Sequence, residues 1–295
     1  MMNEYEMNEN GLYTNAPSHA STEAIERLQE KRDEVAKAMR LVIIGAPCLL
    51  IPPLGILLLL IGYVRLTKAQ KDMESLYKDA FVREPLANHF DNVVYEPAMG
   101  FSKEAVQSFQ LCEMGNRFYT EDYIRASYCG VGFEVAQVKV VYADNSGDHN
   151  YSKTYFDGRM MVFNFPDKLV NSVLLFSNKY KNRGDKYKES KKMKVELEGV
   201  QFNKDFDVYA PVPHDAFYLL TPHMMERLQF LDGKYESLAM NVVGNRVMLA
   251  FNEPGRNAFD SNVSIGKVDI DAEMAKVQGE IDDIRNFISL ILNLN

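Results

Sequence analysis

Residues 41–64 read LVIIGAPCLLIPPLGILLLLIGYV, a run without a single charge, closed by Arg40 on one side and Arg65 on the other. Wound as a helix at about 1.5 Å per residue, a run of this length reaches across a hydrocarbon core of about 30 Å. Its interior is broken by Gly45, Pro47, the pair Pro52 and Pro53, Gly55 and Gly62. Proline lacks the backbone donor and its ring clashes with the preceding turn, so the Pro-Pro pair kinks or interrupts a helix. Two readings follow. In the first, one kinked helix spans a bilayer, with Leu41, Pro47, Pro52, Pro53, Leu57 and Val64 along the anchor. In the second, residues 41–51 and 54–64 are two arms of a hairpin that enters one leaflet and returns. Lys and Arg favour the cytoplasmic side of a span, yet the flanks are almost equally basic: Arg27, Lys31, Arg32, Lys37 and Arg40 before, Arg65, Lys68, Lys71 and Lys78 after. That symmetry fits the hairpin, whereas the length fits the single span, which is placed first. A buried core helix comes third, because core helices are seldom apolar on every face for so long.

The rest of the chain is polar enough for water. Of 295 residues with a net charge of −8, the part after the anchor is large enough to bury a real core. An acidic balance argues against a nucleic-acid partner, which needs a basic face. Cys48 lies in the apolar run, and Cys112 and Cys129 form no CxxC pair, so neither a disulfide framework nor a zinc site is indicated. The first forty residues hold no apolar core of a cleavable signal peptide, and the anchor itself is expected to direct insertion.

In chain order, residues 1–20 are polar and read as disordered, and residues 21–40 form an amphipathic helix with Ile25, Leu28, Val35 and Met39 on one face. Residues 41–64 are the membrane segment. Residues 65–115 form a helical linker region that Pro85 interrupts and in which Ser102 caps a second helix. Residues 116–295 form a β-rich soluble domain. From Tyr119 the period becomes two: strands flank Gly130 and Gly132, a bulge is expected near Ala136 and Gln137, and 145–154 is a hairpin tip. Further strands are read in YFDGRMMVFNF, NSVLLFSNKY, MKVELEGVQF, DFDVYAPV, SLAMNVV and NRVMLAFN, with a tight turn at Gly244-Asn245. A helix capped by Thr221 and started by Pro222 interrupts them. The last helix carries Met274, Val277, Ile281, Ile284, Ile288 and Ile291 at steps of three and four. It reads as a cover for the sheet, or as an oligomer contact. The fold class is therefore α+β: an apolar anchoring helix or hairpin, then a mainly antiparallel β domain, as a curved sheet, sandwich or partly open barrel, with flanking helices.

One series of short motifs has a familiar order: Tyr95-Glu-Pro97 with Gly100-Phe101, Tyr119-Thr-Glu-Asp122-Tyr123-Ile124, Phe133-Glu-Val135, Phe156-Asp-Gly158, Phe206-Asp-Val208-Tyr209 and Leu220-Thr221-Pro222-x-Met224-Met225-Glu226-Arg227. Together they resemble, over residues 66–255, the bacterial domain-of-unknown-function family numbered 3137. The resemblance implies a bacterial protein anchored in the cytoplasmic membrane, sometimes with a LemA-type membrane protein as partner; reduced cysteines place the soluble domain, as an expectation, in the cytoplasm. It supplies no catalytic residues. Members often show two apolar segments where this chain has one broken run, which keeps the hairpin reading open.

The chemistry-bearing motifs are few. There is no GxSxG, HExxH or P-loop, and Gly130-Val-Gly132 runs into a strand rather than a helix, as a bend does. His214, Asp215 and His223 are a weak metal set, better read as surface or capping groups. No cofactor is expected. Against the acidic background, Lys179, Lys181, Arg183, Lys186, Lys188, Lys191, Lys192 and Lys194 crowd into one short stretch with only Asp185 and Glu189. Such a cluster is either a solvated loop or a contact for anionic lipid or an acidic protein, since a basic residue near an anionic leaflet gains about 1 kcal/mol. The reading that follows is a non-enzymatic scaffold or binding module at a membrane, with an enzyme acting on a membrane-bound substrate as the alternative.

Overall fold

The switch to a period of two after Tyr119 is realised as a large antiparallel sheet, seen in a computed structural model that describes residues 6–7, 13–14, 22–45, 52–144, 151–184, 193–257, 259–260 and 270–293. Of the positions singled out above, Pro47, Cys48, Asp185, Lys186, Lys188, Glu189, Lys191, Lys192 and most of the hairpin tip at 145–154 lie outside the described residues, as do most of residues 1–20. The chain divides into two compact units, Met1–His89 with Ala258–Asp282, and Phe90–Asn257 with Asp283–Asn295.

In the first unit a short ladder pairs β1 (Glu6–Met7) with β2 (Tyr13–Thr14). Helix α1 (Thr22–Gly45) buries Leu28, Val35 and Ala38. Helix α2 (Pro52–Tyr77) buries Ala69 and Met73. It is followed by a π-helical turn, Lys78–Arg83, and then α3 (Glu84–His89). The widened turn is the local consequence of Pro85, which cannot donate to the carbonyl four residues back. Tyr77 and Phe81 stack across it at 5.2 Å.

The second unit holds a nine-stranded sheet in the order β3 (Asp91–Glu96), β4 (Arg117–Tyr128), β5 (Val131–Asp144), β6 (Tyr151–Asn164), β11 (Arg246–Asn252), β10 (Ser237–Gly244), β7 (Val170–Ser177), β9 (Phe206–Tyr209), β8 (Lys194–Val195). Every pairing is antiparallel. The sheet is a single open one, so the sandwich and barrel options fall away. Cys129-Gly130 and Gly244-Asn245 make its two tightest turns; Cys129, Gly130 and Gly244 have φ of 49°, 79° and 65°, the left-handed geometry that two-residue hairpins need. The expected bulge sits across from Ala136, on β4: pairing runs Glu121↔Gln137 and then Ile124↔Val135. Asp122 takes up the slack at φ 55°. Its N–H reaches the Pro97 carbonyl at 2.9 Å, and its buried carboxylate accepts from Tyr95 Oη at 2.7 Å and Asn257 Nδ2 at 2.8 Å.

Both faces of the sheet are covered. On one lies a cluster built from Phe101, Val106, Phe109, Val140, Phe156 and Phe176, supplied in part by α4 (Lys103–Phe109), whose cap is Ser102 as expected. On the other, Phe287 of α8 (Ile270–Leu292) meets Phe163 at 5.1 Å, and Tyr235 meets Phe251 at 4.4 Å. Two covered faces explain why β10, β11 and the MMVF part of β6 at 160–163 read as nearly continuous apolar runs instead of a clean alternation.

Two segments depart from the sequence reading. MKVELEGVQF contributes only β8 before turning into α5 (Val200–Asp205). Asn203 closes that turn, accepting from Leu197 N at 3.0 Å and donating to Leu197 O at 2.6 Å. Helix α6 (Pro213–Leu219) was not expected; Pro213 occupies its first turn, where a missing N–H costs nothing. Helix α7 (Pro222–Lys234) starts as read, with Met224 N donating to Thr221 Oγ1.

Candidate functional site

Of the apolar run, residues 41–45 lie in α1 and residues 52–64 in α2; residues 46–51 lie outside the described residues. Pro52 and Pro53, expected to break a helix, begin one: α2 starts at Pro52, where prolines are tolerated because the first N–H groups have no intrahelical partner. Among the described residues no helix is long and apolar enough to cross a membrane, so the expected spanning helix is not supported. The two helices run antiparallel and in contact. Val42 of α1 packs so closely on Gly62 of α2 that a Cβ there would stand 3.0 Å from Val42 Cγ2. Further along, Lys31 Nζ lies 3.9 Å from Asp72 Oδ2. The end of this pair is greasy and uncovered: Ile43, Leu60, Ile61, Tyr63 and Val64 are 65, 57, 41, 64 and 62% exposed. Leu41 is half-buried, and Leu57 lies on α2. Behind this end come Lys37, Arg40, Arg65 and Lys68, all exposed. Several large exposed apolar side chains near exposed cations are the pattern of an interaction surface.

The basic stretch of the second unit is less free than its composition implies. Arg183 Nη1 lies 2.7 Å from Asp207 Oδ2, Lys194 Nζ lies 2.8 Å from Asp207 Oδ1, and Lys179 Nζ lies 2.9 Å from Asp232 Oδ2. Partial burial pushes the Asp207 carboxyl up, but the hydrogen bonds and charges of Lys194 and Arg183 outweigh it and hold it below the usual carboxylate range. Lys181 is exposed and lines, with Lys179, Tyr155 and Asn182, an open cleft of about 440 Å³. The aspartates that answer these cations, far away in the chain, carried no local signal.

A second buried ionic knot joins α7 to the C-terminal part of α8. Asp283 receives Arg227 Nη2 at 2.7 Å, Tyr235 Oη at 2.6 Å and the Lys234 ammonium. His223 is exposed beside Glu226, and Asp215 accepts from Asn171 rather than joining a metal set. Among the described residues neither His214 nor His223 falls in a cluster able to hold a cation. Gly130 is a turn residue, as read.

Residues 154–295 match the model of a family described as a protein of unknown function, DUF3137, the family suspected from the motifs; those at Phe156, Phe206 and Leu220 fall within the match and those at Tyr95, Tyr119 and Phe133 outside it. One solved structure, of the mycobacterial trehalose monomycolate transport factor A, TtfA, is similar with 11% identity and a TM-score of 0.33, covering 68% of this chain and 89% of that one. No curated protein matches the chain.

Proposed function

We propose that this protein, whose residues 154–295 carry the DUF3137 match, is a membrane-attached binding module: the α1–α2 hairpin seats its apolar end in one leaflet, and the sheet domain recruits a partner at that surface. The observation that carries this reading is the antiparallel helix pair with Ile43, Leu60, Ile61, Tyr63 and Val64 exposed beside Arg40 and Arg65. Burying such side chains in hydrocarbon yields about 25 cal/mol per Å² of apolar surface, and flanking Lys and Arg can keep their charges at the headgroup level. The ion pairs of Asp207, Asp232 and Asp283 support a structural use of the sheet domain's charged groups, in keeping with recruitment rather than catalysis.

Flotation of the full-length chain with phosphatidylcholine vesicles tests the reading. The wild-type chain is expected to float with the lipid in high salt, and Leu60→Asp with Ile61→Asp to leave it in the aqueous fraction. A wild-type chain that stays in the aqueous fraction removes the proposal.

A further inference from the structure

We propose that the groove between α1 and α2 is a seat for the phosphodiester headgroup of an anionic phospholipid. This rests on the hairpin reading above and adds the lipid class. The groove has a volume of about 330 Å³ and lies at the headgroup end of the apolar arms: Lys37 and Leu41 line it from α1, Arg65 and Lys68 from α2. Its floor is low because Ala38 and Ala69, both buried, face each other there.

The charges in the groove do not cancel. Its two carboxylates, Glu34 and Asp72, share one cation, Lys31, whose Nζ stands 2.9 Å from Glu34 Oε2 and 3.9 Å from Asp72 Oδ2. Lys37, Arg65 and Lys68 have no carboxylate at ion-pairing distance among the described residues. The local balance is thus positive in a chain whose net charge is −8. A planar guanidinium flanked by ammonium groups suits phosphate oxygens, Arg65 gripping two of them and the lysines acting as point charges. One helical turn from these cations stand Ile43 and the Leu60, Ile61 and Val64 side chains, exposed and apolar. A ligand with a phosphate at one end and acyl chains at the other satisfies both halves of the surface; a soluble phosphate satisfies only one.

The test is flotation of the full-length chain on vesicles of phosphatidylcholine alone and of phosphatidylcholine with phosphatidylglycerol. Wild-type protein is expected to prefer the anionic vesicles by at least about tenfold, given roughly 1 kcal/mol per basic residue at an anionic surface. Replacing the three groove cations together, Lys37→Gln, Arg65→Gln and Lys68→Gln, should bring that preference to about one, with binding to neutral vesicles kept. Because these side chains are exposed, an unchanged circular dichroism spectrum is expected; charge reversal at Lys68 alone, Lys68→Glu, serves as the milder variant, with a partial loss. The control Arg27→Gln, Arg32→Gln and Lys71→Gln removes the same charge outside the groove and should retain most of the preference. Equal losses in the two triple variants would mean diffuse surface attraction and overturn the seat. No wild-type preference for anionic vesicles overturns it while leaving the hairpin standing, and no binding to either vesicle sinks both. Displacement by millimolar glycerol 3-phosphate would overturn lipid as the occupant.

Discussion

Asp207 shows how a single carboxylate can decide what a cationic stretch is able to do. It holds Arg183 and Lys194 at 2.7 and 2.8 Å, so two of the basic residues that the composition offered to a partner are engaged within the chain. Arg183 is further committed by donating to the carbonyls of Tyr180 and Ser177. Replacement by Asn should therefore cost only about 1 kcal/mol, and the pH dependence is the sharper readout. The folded carboxyl is held below its ordinary value, against the upward push of partial burial, by Lys194 and Arg183. Its contribution is accordingly complete above the unfolded value of about 3.9 and fades as pH falls through the folded value. Melting curves should show Asp207→Asn below wild type at pH 7, with the gap closing as the pH drops under about 4. A gap that is constant with pH would mean that the carboxylate charge contributes nothing.

At the scale of elements, the ionic knot on Asp283 fastens α7 to the last turns of α8. Arg227 and Asp283 are both nearly inaccessible, at 9% side-chain exposure each, so deleting one partner strands the other in a poor solvent. Asp283→Leu should cost about 3–5 kcal/mol in urea unfolding, and adding Arg227→Met should recover part of it, because a buried pair replaced as a pair is far less harmful than a pair broken. A double variant no better than the single one would show that the pair is not the cause. The same helices show what a sequence discloses. The α8 seam was legible because burial follows its period: Met274, Val277, Ile281, Ile284, Ile288 and Ile291 are all buried. Caps are legible because they act within one turn, as Ser102 and Thr221 do. What was not legible either is too short to carry a period, as in α6, or depends on side-chain clamps such as Asn203 on Leu197, which turned an alternating stretch into a helix. The candidate surface was half legible: the apolar run announced itself, but its folding back on itself turns on the contact of Val42 with Gly62. The partners of Arg183 and Arg227, 24 and 56 residues away, leave no trace in any local window.

For the whole molecule, the proposed membrane hairpin of α1 and α2 implies a sidedness that a spanning helix would contradict. Arg40 and Lys37 precede the apolar run, Arg65 and Lys68 follow it, and cations on both flanks favour one cytoplasmic side for both. On that proposal α1 and the sheet domain would lie on the same face of the membrane, and a single crossing would separate them. The chain brings its own reporter to one side, because Cys129 is exposed in the β4–β5 turn whereas Cys112 is buried, its thiol pushed up to about 12 by burial and then by Glu113. At that value Cys112 holds almost no thiolate at neutral pH and reacts slowly. With Cys48→Ser as background, a second reporter at the exposed Glu30 of α1, Glu30→Cys with Cys129→Ser, reads the other flank. A membrane-impermeant maleimide should label both single-reporter proteins in inverted vesicles and neither in right-side-out ones. Labelling of the two reporters from opposite faces would mean that the run at 41–64 crosses the bilayer after all, and the hairpin, with the headgroup seat built on it, would have to be given up.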